Sequence, residues 1–206
     1  MARPRATTAD DYAVDLYWLP LGAGGHSVRL NGRVYEAALS TLQRRRRVAL
    51  YHSAFEVKTP EGVYVIEMAP ALISAHGDHC AVACGPVGSR VLGRLALFRY
   101  EVRRWLAGVI PDVGEAVESP RRLTEDAALV RRLLELVPRV PTPVWGRDEL
   151  RAGEMWNSNS LISWLVAFVG LDVDTIAPPA GGRAPGWDAG IVVARRECAA
   201  REDVGR

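Results

Sequence analysis

Residues 155–170 read MWNSNSLISWLVAFVG, in which four small polar residues at 157–160 precede an apolar run and a glycine. Asn and Ser are favoured at the start of a helix because their side chains accept hydrogen bonds from the free amides of the first turn. Gly170 is typical of the position just after a helix. The pattern predicts a buried core helix over 157–169, and its apolar run is well short of the roughly 20 residues that span a bilayer.

The start of this helix is a candidate site for nucleophilic chemistry. Asn157 or Ser158 would lie in the first turn, where free backbone N–H groups favour a developing anion and can form an oxyanion site. A serine is a weak nucleophile at its free pKa and needs a neighbouring base. Capping alone explains the same residues, so the spacing leaves both interpretations open.

A histidine lies about a hundred residues earlier, within VALYHSAFEV at 48–57, which is typical of a buried strand. Because a strand interior would hold its ring rigidly, His52 is the candidate general base. Glu67 or Tyr64 on the next strand, or Glu56 two positions along on the same face of the same strand, could orient the imidazole. A lone strand histidine is also common as a hydrogen-bonded core residue, and this alternative stays open.

The rest of the chain predicts one α+β domain over 11–196, between an N-terminal tail at 1–10 and a C-terminal tail at 197–206. A short connection with Pro60 and Gly62 predicts an antiparallel pair of strands on either side of it. The other predicted elements are strands over 12–20, 63–68, 96–105 and 187–194, helices over 33–47 and 124–138 with Thr124 as N-cap, and a long surface loop over 70–93.

Three short blocks resemble the PPPDE family of papain-like thiol peptidases. Residues 51–57, followed by a strand with Tyr64, resemble its histidine segment, 156–160 resemble its Asn-Cys-Asn motif, and 15–17 are similar to its opening Tyr-Asp-Leu segment. Histidine before nucleophile is the order of the circularly permuted branch of the papain and NlpC-type fold, which includes lecithin retinol acyltransferase-like enzymes. The resemblance implies an α+β, permuted papain-like fold with an antiparallel sheet packed on the nucleophile-position helix.

The same resemblance implies hydrolase-like acyl chemistry on an amide or ester, of a peptidase or isopeptidase type. In this scheme Ser158 attacks, His52 accepts and returns the proton, and Glu67 orients the ring. The expected substrate and oxyanion contacts are Asn157, Asn159, Trp156 and Trp187.

One departure from the family leaves two functions open. Ser158 stands where the family has its cysteine, and a hydroxyl is far harder to ionise than a thiol. The chain is therefore either a serine-type hydrolase on a cysteine-peptidase fold, or a catalytically inactive module that binds a peptide or protein partner in the same cleft.

Composition argues against other classes of partner. The formal net charge of +2 over 206 residues is small for a protein that neutralises nucleic acid or an anionic membrane, so neither is expected. Three cysteines and an N-terminus without an apolar segment predict a cytoplasmic location. The sequence does not indicate an oligomeric state.

Two loop motifs could bind ions. His76, His79, Cys80 and Cys84 are competent metal ligands, but they crowd into one loop without the paired spacing of a zinc site, so no metal and no cofactor are expected. Residues 85–94 could present backbone amides, Arg90 and Arg94 to an anion. This segment lacks the Lys-Ser/Thr ending of a phosphate loop, so nucleotide binding is not expected.

Overall fold

The computed structural model describes residues 12–21, 48–71 and 81–204. Within these ranges the chain is an α+β fold with a seven-stranded sheet and three α-helices. The strands are β1 (Ala13–Pro20), β2 (Ala49–Thr59), β3 (Gly62–Pro70), β4 (Ala81–Pro86), β5 (Arg99–Leu106), β6 (Arg121–Thr124) and β7 (Gly182–Arg183). The helices are α1 (Ala127–Leu136), α2 (Ser158–Val169) and α3 (Trp187–Val204).

The sheet has the order β4-β5-β3-β2-β1-β6, with antiparallel neighbours throughout. The short strand β7 adds parallel to the first residues of β2. The predicted pair β2–β3 is confirmed as a hairpin in which Thr59 lies opposite Gly62 and its hydroxyl donates to the Gly62 carbonyl at 3.1 Å. Gly62 has a φ of +138°, a backbone conformation in which a residue with a side chain would be strained.

The two faces of the sheet have different environments. Because strand side chains alternate, Trp18, Phe55 and Ile66 point to one face, here called the helix face, and share the main core with residues of all three helices. The opposite face, here called the far face, carries a smaller cluster of five buried residues: Tyr17, Leu19, Ala54, Val65 and Ile110.

Charged side chains surround the small cluster of the far face. The buried carboxylate of Asp15 contacts Lys58 Nζ at 3.0 Å and Arg122 Nε at 2.5 Å. Burial alone would raise the pKa of Asp15, and the hydrogen bonds from these two cations more than reverse that effect, so the pKa is lowered. The far face is therefore held by paired charges as well as by apolar contact.

The segment predicted as a final strand over 187–194 is instead the first half of α3. Its β-branched residues at 191–193 favour a strand, but packing against α2 favours the helix that the segment adopts. A Cβ on Gly190 would lie 2.1 Å from the Ser160 carbonyl oxygen and 2.1 Å from Ser163 Oγ, so only glycine permits this approach of the helices. The helix continues to Val204, so most of the predicted C-terminal tail is helical.

Other predicted boundaries shift for local reasons. The predicted loop over 70–93 contains β4, and β5 begins at Arg99 because Ala96–Phe98 form a 3-10 turn. Helix α1 is capped by Asp126, whose Oδ1 accepts from the amides of Ala128 and Leu129, whereas the predicted cap Thr124 ends β6. The predicted helix at 33–47 and tail at 1–10 lie outside the described residues.

The core helix α2 follows its prediction closely. It is buried along almost its whole length and ends at Gly170, which has a φ of +87°. Across the described ranges, no helix has the combined length and apolarity that crossing a bilayer requires.

Substituting Gly190 tests the close contact between α2 and α3. An ordinary helical Gly→Ala change adds stability, by about 1 kcal/mol, but here the added methyl meets backbone and side-chain oxygens of α2. We expect Gly190→Ala to lower the free energy of unfolding by about 1–3 kcal/mol in denaturant titration. Ala199→Ser, at an exposed position of α3, is the control with little effect, and an unchanged or raised stability of Gly190→Ala would contradict the contact.

Candidate functional site

The start of α2 is closed by a reciprocal set of hydrogen bonds. Asn157 Oδ1 accepts from the amides of Asn159 at 2.9 Å and Ser160 at 3.3 Å, and Ser160 Oγ accepts from the Asn157 amide at 3.1 Å. Ser160 Oγ also donates to the Gly186 carbonyl at 2.7 Å. These contacts form a capping box and use the amides of Asn159 and Ser160, which could otherwise have faced a ligand.

Asn159 joins this helix start to the strand that carries the histidine. Its Nδ2 donates to the carbonyls of Tyr51 at 3.0 Å and Pro185 at 2.9 Å, and its Oδ1 accepts from Ser53 Oγ at 2.9 Å. The Asn159 side chain is buried, and Tyr51 and Ser53 flank His52 in sequence. The structure therefore brings together the two segments that the sequence singled out.

The hydrogen-bonding needs of β2 explain why an asparagine is used here. The Leu50 carbonyl accepts from Leu21 beyond the end of β1, so the next carbonyl, that of Tyr51, points away from β1. Strand β3 pairs with β2 only from Phe55 onward, so it supplies no partner at Tyr51. A buried carbonyl without a partner is costly, and Asn159 supplies the missing donor.

The side chain of His52 points to the far face of the sheet. Ser53 points to α2, as its hydrogen bond with Asn159 shows. Because strand side chains alternate, His52 points to the far face, as Ala54 does, and its neighbour on β1 is Leu19. Burial lowers the pKa of His52 to about 4, an effect that the negative charge of Asp112 partly offsets. The imidazole is neutral at neutral pH and makes no side-chain hydrogen bond within the described residues.

Ser158 is the first residue of α2 and is 7% exposed. Of the four polar side chains at 157–160, only that of Ser158 makes no hydrogen bond within the described ranges. No hydrogen bond joins it to His52, whereas a working nucleophile and base need a contact of roughly 2.6–3.2 Å or one bridging water. The predicted catalytic pair is near in the fold but is not assembled as a pair.

The residues predicted to orient the imidazole have other partners. Buried Glu67 accepts from Arg103 Nη1 at 3.1 Å on the far face, and Glu56 accepts from the Tyr17 hydroxyl at 2.9 Å. Tyr64 packs against the main core on the helix face, away from the His52 side chain. Glu67 is thus part of an ion pair between β3 and β5, which explains its burial without a catalytic role.

Trp156 and Trp187 do not line an open cleft. Both rings are buried in the main core, and Trp187 packs against Trp18 with ring centroids 5.0 Å apart. Trp156 also forms a backbone bridge with Trp145. The predicted role of these two residues in contacting substrate does not fit their burial.

Comparison of the chain with protein-family models, curated proteins and solved structures gives no match. Function therefore has to be inferred from the geometry of this chain.

A concave feature lies where β4 ends and β5 begins. It is a recess of about 200 Å³, lined by Cys84, Gly85, Pro86, Arg90, Gly93, Arg94 and Arg99. Arg90 forms an exposed ion pair with Glu149, whereas Arg94 and Arg99 have no acidic partner among the described residues. The sequence indicated an anion-binding segment here through Arg90 and Arg94, but it did not indicate that Arg99 would join them.

The loop residues that are competent metal ligands lie mostly outside the described residues. His76, His79 and Cys80 fall there, and Cys84 is exposed in β4. Within the described ranges, no group of three or more His, Cys, Asp or Glu side chains is arranged to hold a metal ion.

The pKa of His52 can be measured directly by NMR titration, with His52→Gln used to assign its ring resonance. We expect a folded-state pKa of about 4, below the ordinary value of 6.5, because burial disfavours the charged ring. The unfolded chain then binds more protons between these two values, so lowering the pH through this window reduces the free energy of unfolding. His52→Gln removes the part of this pH dependence of the free energy of unfolding that comes from His52. A measured pKa of His52 at or above 6.5 would contradict the placement of the ring.

Proposed function

We propose that this protein is a catalytically inactive module on a papain-like fold and that it binds a peptide or protein partner. The observation that carries the proposal is the absence of a hydrogen bond between Ser158 and His52, whose side chain points to the face of the sheet opposite α2. Support for the papain-like fold comes from α2, which packs on an antiparallel sheet with its first turn against the histidine strand.

The chemistry of the helix start also favours a non-catalytic role. A serine hydroxyl needs a base in contact with it, and His52 faces the other side of the sheet. An oxyanion site needs several free donors, and the amides of Asn159 and Ser160 are already bonded to Asn157, which leaves only that of Ser158 in the first turn. The polar groups of this region serve the joint between β2 and α2.

A binding role is supported by aliphatic side chains that the fold leaves in solvent. Val91, Leu95 and Leu97 are 74%, 58% and 59% exposed, and they lie within seven residues of one another. Grouped exposed aliphatic side chains are typical of protein interaction sites.

A serine hydrolase is the second candidate, because one observation favours it. Ser158 is nearly buried, lies at the first position of a helix and is the one polar side chain at 157–160 without a structural bond in the described ranges. A hydroxyl that no structural hydrogen bond holds is available to react with a substrate.

Labelling with a fluorophosphonate probe distinguishes the two candidates. We expect the folded wild-type protein to show no more labelling than Ser158→Ala, because His52 makes no hydrogen bond with the hydroxyl. A serine hydrolase of known activity, labelled in parallel, shows that the probe is reactive. Labelling of the wild type that is lost in both Ser158→Ala and His52→Gln would establish the hydrolase and exclude the inactive module.

A further inference from the structure

Residues 87–98, here called the arginine–leucine loop, form a compact structure between β4 and β5. The Val87 amide donates to the Phe98 carbonyl at 2.8 Å, which closes the loop at its base. Ser89 Oγ accepts from the Leu92 amide at 3.1 Å, and its carbonyl accepts from the Gly93 amide at 3.1 Å. The loop therefore has an internally bonded backbone, which favours one fixed presentation of its side chains.

The recess described above depends on close packing of this loop against β4. A Cβ on Gly93 would lie 2.4 Å from Pro86 Cβ, so a larger residue would push the loop away from the strand. Glycine at this position keeps Arg94 on the rim of the recess, near Arg99 at the start of β5.

The outer surface of the loop is aliphatic. Val91, Leu92, Leu95 and Leu97 are 74%, 42%, 58% and 59% exposed, although the backbone that carries them is hydrogen-bonded. Four exposed aliphatic side chains on one short, closed loop favour burial against a partner.

The charge beside this apolar surface is positive. Arg94 and Arg99 are exposed and have no acidic partner in the described parts of the chain, and Arg90 pairs with Glu149 at the rim. A guanidinium group binds a carboxylate through paired, charge-assisted hydrogen bonds. The recess is thus suited to an acidic side chain of a partner. The exposed aliphatic residues of the loop are suited to apolar residues of the partner that neighbour that acidic side chain.

We propose that the arginine–leucine loop is the docking surface for an acidic, amphipathic segment of a protein partner, with a carboxylate between Arg94 and Arg99 and aliphatic residues against Leu95 and Leu97. This inference rests on the proposed binding function and names the surface and the chemistry of its partner. A protein is favoured over an anionic membrane because the arginines line a concave recess and are fewer than the 4–8 basic residues typical of lipid-binding clusters.

Backbone bridges connect this surface to the start of α2. Val87 bridges to Trp145, and Trp145 bridges to Trp156, which is two residues before Ser158. Two strand spacings place Val87 roughly 10 Å from Trp156. The base of the loop is therefore close to the segment that leads into α2.

Fluorescence anisotropy with a labelled peptide of alternating Glu and Leu residues tests this surface on the full chain. Arg94→Gln/Arg99→Gln and Leu95→Ser/Leu97→Ser should each weaken binding by about tenfold or more, since each pair of changes removes charged or apolar contacts. The matched controls Arg132→Gln on α1 and Val109→Ser after β5 replace exposed residues of the same kinds elsewhere and should bind like the wild type. A peptide of alternating Lys and Leu should not bind.

Several outcomes would overturn the inference. Equal binding by the wild type and both loop variants would place the peptide site elsewhere, while the broader binding function would stand. Equal affinity for the Lys–Leu peptide, or no peptide binding at all, would exclude the acidic partner. Loop-dependent binding to vesicles containing phosphatidylglycerol, without peptide binding, would assign the surface to a membrane. Failure of the inactive-module proposal itself would appear separately, as fluorophosphonate labelling.

Discussion

The side chain of Asn159 holds together three parts of the chain that are far apart in sequence. It bonds Tyr51 and Ser53 on β2, Pro185 before α3, and it belongs to the first turn of α2. An amide that is buried and fully bonded in this way fixes position more strictly than apolar contact does, because its loss leaves several polar groups unsatisfied. This joint fixes the first turn of α2 against the sheet and against the segment that leads into α3.

The same joint defines what the candidate site can do. It turns Ser53 towards α2, and alternation then turns His52 to the far face, where burial keeps the ring neutral. His52 and Ser158, which the sequence prediction paired as base and nucleophile, therefore make no hydrogen bond with each other. The binding function that we propose is accordingly assigned to a surface feature, the arginine–leucine loop.

Elements governed by local chemistry were predictable, and those governed by distant contacts were not. The β2–β3 hairpin and capped helix α2 follow from turn and capping residues, whereas α3 depends on Gly190 meeting α2, which no local pattern reveals. The face of the sheet to which His52 points could have been predicted from the sequence, because Ser53 and Phe55 alternate with His52 along the strand. The recess needed the structure, since Arg99 joins it only through the pairing of β4 with β5.

A double-mutant cycle on Ser53 and Asn159 tests the joint most directly. The free energies of unfolding of Ser53→Ala, Asn159→Ala and the double variant give the coupling between the two side chains. A buried hydrogen bond between them predicts a coupling of about 1 kcal/mol or more, with the double variant less destabilised than the sum of the single ones. Additivity within about 0.5 kcal/mol would mean that the helix start and the histidine strand are not joined in this way.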